Sequence, residues 1–265
     1  MSRIVVVHSF RGGTGKSNIT ANTAGLLAQR GRRVGIIDTD LQSPGIHVLF
    51  GFSGEHRPEY TLNDFLAGTA TLDQVATDVS DRIPGDGGGA VQLVASSISP
   101  ADIATVLRDG YDVERLNDAL VQLGGYLELD YLFVDTHPGL NEETLLTVAI
   151  CDTLLVLLRP DQQDYQGTAV TVDVATKLGV PEVLLAVNKI YEAADPARVT
   201  ANVEGAYGVP AIAALPLSQD VAANASADLF TLTDPDHPWS QQVRAIADRL
   251  DAGAGAVVVA ERANP

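Results

Sequence analysis

Across 265 residues the chain has one cysteine, one methionine, one tryptophan and only three lysines. A lone thiol, Cys151, can make neither an internal disulfide nor a C-x-x-C metal site. Its place just before an apolar run marks it as a buried structural residue. Positive charge is scarce: 17 Lys and Arg stand against 34 Asp and Glu, for a net charge of −17 and a pI near 4.4. Beyond Arg198 the only cations are Arg244, Arg249 and Arg262. That balance argues against nonspecific attraction to DNA or to anionic lipid, so neither DNA binding nor direct membrane binding is expected. The first residues show no charged, apolar and cleavage regions of a signal peptide, and no apolar run reaches membrane-spanning length. A cytoplasmic, soluble protein is expected.

What is present is globular: 46% hydrophobic residues with 24 Gly and 13 Pro. The length suits one large α/β domain, expected over residues 1–250. Residues 251–265 form an Ala/Gly-rich segment with an apolar patch, Val257-Val258-Val259, and are expected to be a flexible tail.

The most informative stretch is Arg11-Gly12-Gly13-Thr14-Gly15-Lys16-Ser17. An apolar run, Ile4 to Val7, precedes it as a buried strand. Helical spacing follows from Asn18 to Arg30, closed by Gly31. Between strand and helix, small residues let successive backbone N–H groups converge on an anion, and the positive end of the helix adds to their field. The expected phosphate cradle is Gly12, Gly13, Thr14, Gly15, Lys16, Ser17 and Asn18. Lys16 reaches the β- and γ-phosphates and the Ser17 hydroxyl ligates Mg²⁺.

Three later strands end in polar groups. Arg33 to Asp38 leads into Asp38-Thr39-Asp40, which closes a right-handed βαβ unit. Asp130 to Asp135 is an apolar strand delivering one carboxylate, the Walker B pattern, which makes Asp135 a candidate for the Mg²⁺ shell. Val183 to Lys189 ends in Asn188-Lys189, and an amide such as Asn188 can both donate to and accept from an adenine edge. Tyr191 stands where a guanine-selecting Asp would complete N-K-x-D, which favours ATP over GTP. Pro216 follows the last core strand, Ala211 to Leu215, and is expected to line the base pocket. His137 reads as a variable loop residue, and Asp161 to Asp164 as a solvated charge run ahead of a helix over 167–178. Trp239, Val243, Ile246 and Leu250 repeat at helical spacing, so a last helix packs on the sheet.

The ordinary P-loop, G-x-x-x-x-G-K-[ST], needs glycine where this chain has Phe10. The stretch instead resembles the deviant Walker A motif, K-G-G-x-G-K-[ST], of the MinD/ParA family of ATPases, with Arg11 in place of the signature lysine. The resemblance covers nearly the whole chain. It implies a three-layer α/β sandwich with a mostly parallel central sheet, a P-loop NTPase of the SIMIBI type. It further implies that Arg11 crosses to a nucleotide on a partner subunit, a role that arginine's phosphate-matched fork preserves. Asp38-x-Asp40 resembles the family's second motif, in which the second Asp orients the attacking water and Asp38 sits nearer the Mg²⁺. Thr136-His137-Pro138-Gly139 resembles its switch, with the Gly139 amide sensing the γ-phosphate.

The function so implied is an ATP-dependent homodimer, binding and slowly hydrolysing ATP with Mg²⁺, with catalytic Lys16, Asp40 and Arg11. Its output is the positioning or regulation of an unidentified protein partner or cargo. Three alternatives stand beside it: a DNA-partitioning ATPase, a metal-cofactor maturation ATPase and a non-hydrolysing nucleotide-binding module. Maturation relatives carry paired cysteines, and here there is only Cys151. The tail lacks the basic amphipathic helix with which MinD docks on membranes.

Overall fold

The computed structural model describes residues 2–253 apart from Glu55, Asp86 and Glu192. Strand β1 (Arg3–His8) is buried along nearly its whole length and turns through the glycine-rich loop into helix α1 (Lys16–Gln29), and β2 (Arg33–Asp38) follows. A 3₁₀ turn at Ile46–Phe50 leads to two short helices, α2 (Leu62–Ala67) and α3 (Leu72–Val75), each opened by a capping box. After them come β3 (Ala76–Asp78) and β4 (Ala90–Val94), then helices α4 (Pro100–Asp109) and α5 (Val113–Tyr126).

The second half alternates strictly. Strand β5 (Tyr131–Asp135), helix α6 (Glu142–Ile150), strand β6 (Thr153–Leu158) and helix α7 (Gln162–Lys177) are followed by β7 (Glu182–Ile190), α8 (Pro196–Tyr207) and β8 (Ala211–Pro216). Two short helices, α9 (Gln219–Ala223) and α10 (Phe230–Thr233), precede the last one, α11 (Pro238–Asp251).

The strands form one eight-stranded sheet in the order β3-β4-β2-β5-β1-β6-β7-β8. Every pairing is parallel except the antiparallel edge, β3 against β4. Parallel strands joined by helical crossovers are covered on both faces, so they read as continuous apolar runs rather than alternating ones. Successive side chains still part to opposite sides. Val5 and Val7 join a core with α1 and α11, whereas Ile4 and Val6 join a core with α5, α7 and α8. These are the three layers the family resemblance implies, with Trp239 in the core at the start of α11.

Several local expectations shift. Helix α7 starts at Gln162 rather than near Gly167, because the Asp161 side chain accepts from the amides of Gln163 and Asp164 and caps it. Asp164 is not on a solvated face: it is buried and takes three donors from Arg159. Of the expected tail, Asp251 closes α11, and residues 254–265, with the Val257–Val259 patch, lie outside the described residues. Among the described residues, no helix is long and apolar enough to cross a membrane.

Candidate nucleotide site

The sheet order places the ends of β2 and β5 beside the loop that follows β1, so residues far apart in sequence meet at one edge. Asp38 and Asp135 are opposite each other in the β2–β5 register, and both are fully buried. Burial and mutual repulsion push the Asp38 carboxyl well above its usual range, and burial pushes that of Asp135 up to about 6. The Asp135 carboxyl is pulled the other way by the Ser17 hydroxyl and the Lys16 ammonium. Its Oδ1 is buried with no hydrogen-bond partner among the described residues. Asp38 is better held, accepting from the amides of Asp40 at 3.1 Å and Gly45 at 3.2 Å.

Lys16 is the first residue of α1 and is buried, its Nζ donating to Ser9 Oγ at 3.2 Å. Burial lowers its pKa against the raising pull of Asp135, Asp40 and Asp38. Gly15, the cap of α1, sits at φ 97° and has no side chain to satisfy the first-turn amides. Those amides, Ser17 and Asn18 among them, therefore face the loop with the positive end of the helix behind them. Asn18 itself accepts from Asn22 through both its carbonyl and its side-chain oxygen.

The loop is braced from outside. Asn188 Nδ2 donates to the Thr14 carbonyl at 2.7 Å, and Lys189 Nζ to the Gly13 carbonyl at 2.8 Å. Asn188, expected on the adenine edge, thus already spends one donor on the loop, and its Oδ1 accepts from the Lys189 amide at 2.9 Å. Pro216 lies close by, paired with Ile190 where β7 and β8 end. Gly12 sits beside Pro138, whose ring would be 3.7 Å from a side chain at that position. The Gly139 amide, expected to sense the γ-phosphate, donates here to the Ser9 carbonyl at 3.1 Å.

Asp40 follows β2 and is held by two elements. Its Oδ1 lies 2.8 Å from His137 Nδ1 and accepts from the Ser43 amide at 3.0 Å. Arg11 faces its own chain, with Nη1 3.6 Å from Asp161 Oδ1 and 3.7 Å from Asp164 Oδ1 at the start of α7.

The arrangement is a phosphate-binding loop with a buried ammonium, a helix N-terminus and three convergent carboxylates. The ParA family model, described as NUBPL iron-transfer P-loop NTPase, matches residues 1–251. The chain belongs to this family. It is 27% identical over 251 residues to an uncharacterized ATP-binding protein of Methanocaldococcus jannaschii, covering 94% of this chain and 88% of that one. It is 28% identical to an iron-sulfur cluster carrier protein of Deinococcus radiodurans, over 94% of this chain and 69% of the relative. Among solved structures, the septum site-determining protein MinD of Pyrococcus horikoshii, complexed with Mg-ADP, superposes with a TM-score of 0.78. That match is 22% identical and covers 96% of this chain and 98% of the other.

In this ParA-family chain the loop, Lys16, Ser17, Asp38, Asp40 and Asp135 are gathered in one place, with Asn188 bonded to the loop at Thr14 and Pro216 paired with Ile190 at the end of β8. Arg11 stands apart at the rim. Sequence reasoning missed His137 and Ser43 as the partners of Asp40. It also missed Glu143, a buried carboxyl that accepts from Tyr111 and interacts with both His137 and Asp40. Glu143 carried a signal only as an acidic residue in the first turn of α6.

Proposed function

We propose that the chain is an ATPase that works as a dimerisation switch, with residues 1–250 as a single ATPase unit. It binds ATP with Mg²⁺, pairs with a second copy while ATP is bound, and parts after slow hydrolysis, which positions or regulates a protein partner. The observation that carries this reading is the convergence of Lys16, Asp38, Asp40 and Asp135 at the unsatisfied N-terminus of α1.

The residues present fit the metal: Asp135 Oδ1 is a buried carboxylate oxygen with no hydrogen-bond partner among the described residues, beside the Ser17 hydroxyl. Mg²⁺ bound there supplies charge neutralisation on the β- and γ-phosphates. The chain's own groups do the rest. The loop amides and Lys16 hold the phosphates, Asp40 orients the attacking water, and Arg11 of the second copy reaches the charge that develops on transfer. Asn188 and Pro216 flank the base, and Gly139 exchanges its Ser9 contact for the γ-phosphate.

A second reading, delivery of a metal cluster, draws support from the iron-sulfur carrier among the relatives. The side chains weigh against a cluster held by this chain. Cys151 is its one cysteine, and burial pushes that thiol up to about 12, far from the thiolate a cluster needs.

Light scattering after size exclusion tests the switch on the Asp40→Ala protein, in Mg²⁺ with ADP and then with ATP. The expected result is a monomer in ADP and a dimer in ATP, with Lys16→Ala losing ATP binding and dimerisation together. An Asp40→Ala protein that stays monomeric in saturating ATP would overturn the switch. Undiminished ATP affinity in Lys16→Ala would overturn the phosphate-binding loop itself.

A further inference from the structure

We infer that His137 is a positioning residue for ATP hydrolysis: its Nδ1–H fixes one oxygen of the Asp40 carboxylate so that the other faces the attacking water. The inference rests on the reading of Asp40 given above and adds what holds that carboxylate in place.

Asp40 Oδ1 lies 2.8 Å from His137 Nδ1. A carboxylate accepts and does not donate, so the ring proton of this pair sits on Nδ1. The same Oδ1 accepts from the Ser43 amide at 3.0 Å and the Ser43 hydroxyl at 3.1 Å. Among the described residues Oδ2 shares only that hydroxyl, at 3.1 Å, and keeps its remaining acceptor capacity for a water. One oxygen is thus loaded and the other left open, the asymmetry a water-orienting carboxylate needs.

Ser43 cannot supply this anchoring alone. It lies three residues from Asp40 in the same turn, so its two bonds move with the carboxylate if that segment shifts. His137 comes from the loop after β5, 97 residues away in sequence, and ties the Asp40 turn to the segment that carries Pro138 and Gly139. Its side chain is 27% exposed, so most of the ring is packed rather than free in solvent. Glu143 interacts with both partners and is itself fixed by the Tyr111 hydroxyl. A bond between the loops that leave two neighbouring strands, on a carboxylate next to the phosphate-binding loop, sets the direction in which that carboxylate points.

The test uses the full chain with Mg²⁺ and ATP and reads kcat, KM and ATP affinity separately. His137→Ala is expected to lower kcat tenfold or more, with KM and ATP affinity within twofold, because misplacing a reacting group by about 1 Å costs up to ~100-fold. His137→Asn is expected to recover most of the rate, since its amide nitrogen lies two bonds from Cβ as Nδ1 does. His137→Gln, whose amide lies one bond further out, is expected not to. Independently of turnover, the imidazole ¹⁵N resonances should report an Nδ1–H ring in the nucleotide-free protein that is lost in Asp40→Ala.

Wild-type kcat in His137→Ala, beside a slow Asp40→Ala, overturns this inference alone, as does an unchanged His137 tautomer in Asp40→Ala. Equal rescue by Asn and Gln also overturns it, because the donor position would then not matter. A wild-type rate in Asp40→Ala overturns the reading of Asp40 and this inference with it.

Discussion

Arg11 and Asp161 face each other within one chain, Nη1 to Oδ1 at 3.6 Å, with Asp164 Oδ1 a further partner at 3.7 Å. An arginine that serves a second subunit must leave these contacts before it can cross. The pairs are long and both Arg11 and Asp161 are about two-fifths exposed, so the hold is weak, about 0.2–1 kcal/mol. A weak hold is what a reversible switch requires.

Asp161→Asn should therefore shift dimerisation to lower ATP concentration by about 1.4- to fivefold, the range that such a pair energy converts to. Asparagine still caps α7, so helix stability should not change. Sedimentation velocity across an ATP titration reads the midpoint. An unchanged midpoint would mean that the Arg11 contact does not oppose pairing.

Asn188 gives a second prediction. It is buried and donates to the Thr14 carbonyl, and its amide would lie 2.5 Å from any side chain added at Gly15. Asn188→Ala leaves that carbonyl without its donor, a cost of about 1–3 kcal/mol. The loop should loosen, with ATP affinity down about tenfold and a lower melting temperature, read by calorimetric titration and thermal unfolding. Loss of affinity with full thermal stability would instead place Asn188 on the nucleotide alone.

How far these features were legible in the chain follows from what each depends on. The buried parallel strands and α11 are written in local pattern: Ile4–Val7, Leu154–Leu158 and the spacing of Trp239, Val243, Ile246 and Leu250. The loop and the three strand-end aspartates are written in motif. Helix α4 carries Ile103, Val106 and Leu107 at helical spacing yet buries no residue fully, and the edge strand β3 has three residues, too few to show a period. The start of α7 was hidden because Asp161 and Asp164 look like surface charge until Arg159 and Arg11 are seen against them. Contacts such as His137 with Asp40 and Asn188 with Thr14 join residues 97 and 174 positions apart. Only the sheet order brings them together, and nothing local announces it.

Asp135 carries a conflict between stability and function. It shares a buried strand end with Asp38, and one of its oxygens has no partner among the described residues. Asp135→Asn removes one of two like charges from that site. Without nucleotide or Mg²⁺ the variant should be more stable than the wild type, by about 1–3 kcal/mol in urea unfolding at pH 7.5. Its Mg²⁺-dependent gain in ATP affinity should fall at least tenfold. Equal stability would mean that Lys16 already neutralises the pair; an intact Mg²⁺ effect would remove Asp135 from the metal's shell.

His8 should lower stability as pH falls. Thr136 Oγ1 donates to the Val7 carbonyl at 3.0 Å, so it accepts from His8 Nδ1 at 2.9 Å, and the ring proton lies on Nδ1. Nε2 is left buried without a partner among the described residues. Burial, with Lys16 and then His137 adding to it, lowers the His8 pKa from 6.5 to about 3. A folded pKa below the unfolded one means that only the unfolded chain takes up this proton between those values. The contribution is therefore fully present above pH 6.5 and lost as pH falls toward 3. From pH 7 to pH 5 the loss amounts to about 2 kcal/mol. His8→Asn keeps a donor near the Nδ1 position and has no titrating ring. Urea unfolding of both proteins without nucleotide, in EDTA, should show the wild type losing about 2 kcal/mol more than the variant over that range. Asp135 and Glu143, whose carboxyls are raised, work in the opposite direction on acidification but are common to both proteins, so the comparison isolates His8. Parallel pH profiles would mean that the buried imidazole takes up its proton in the folded state as readily as in the unfolded one.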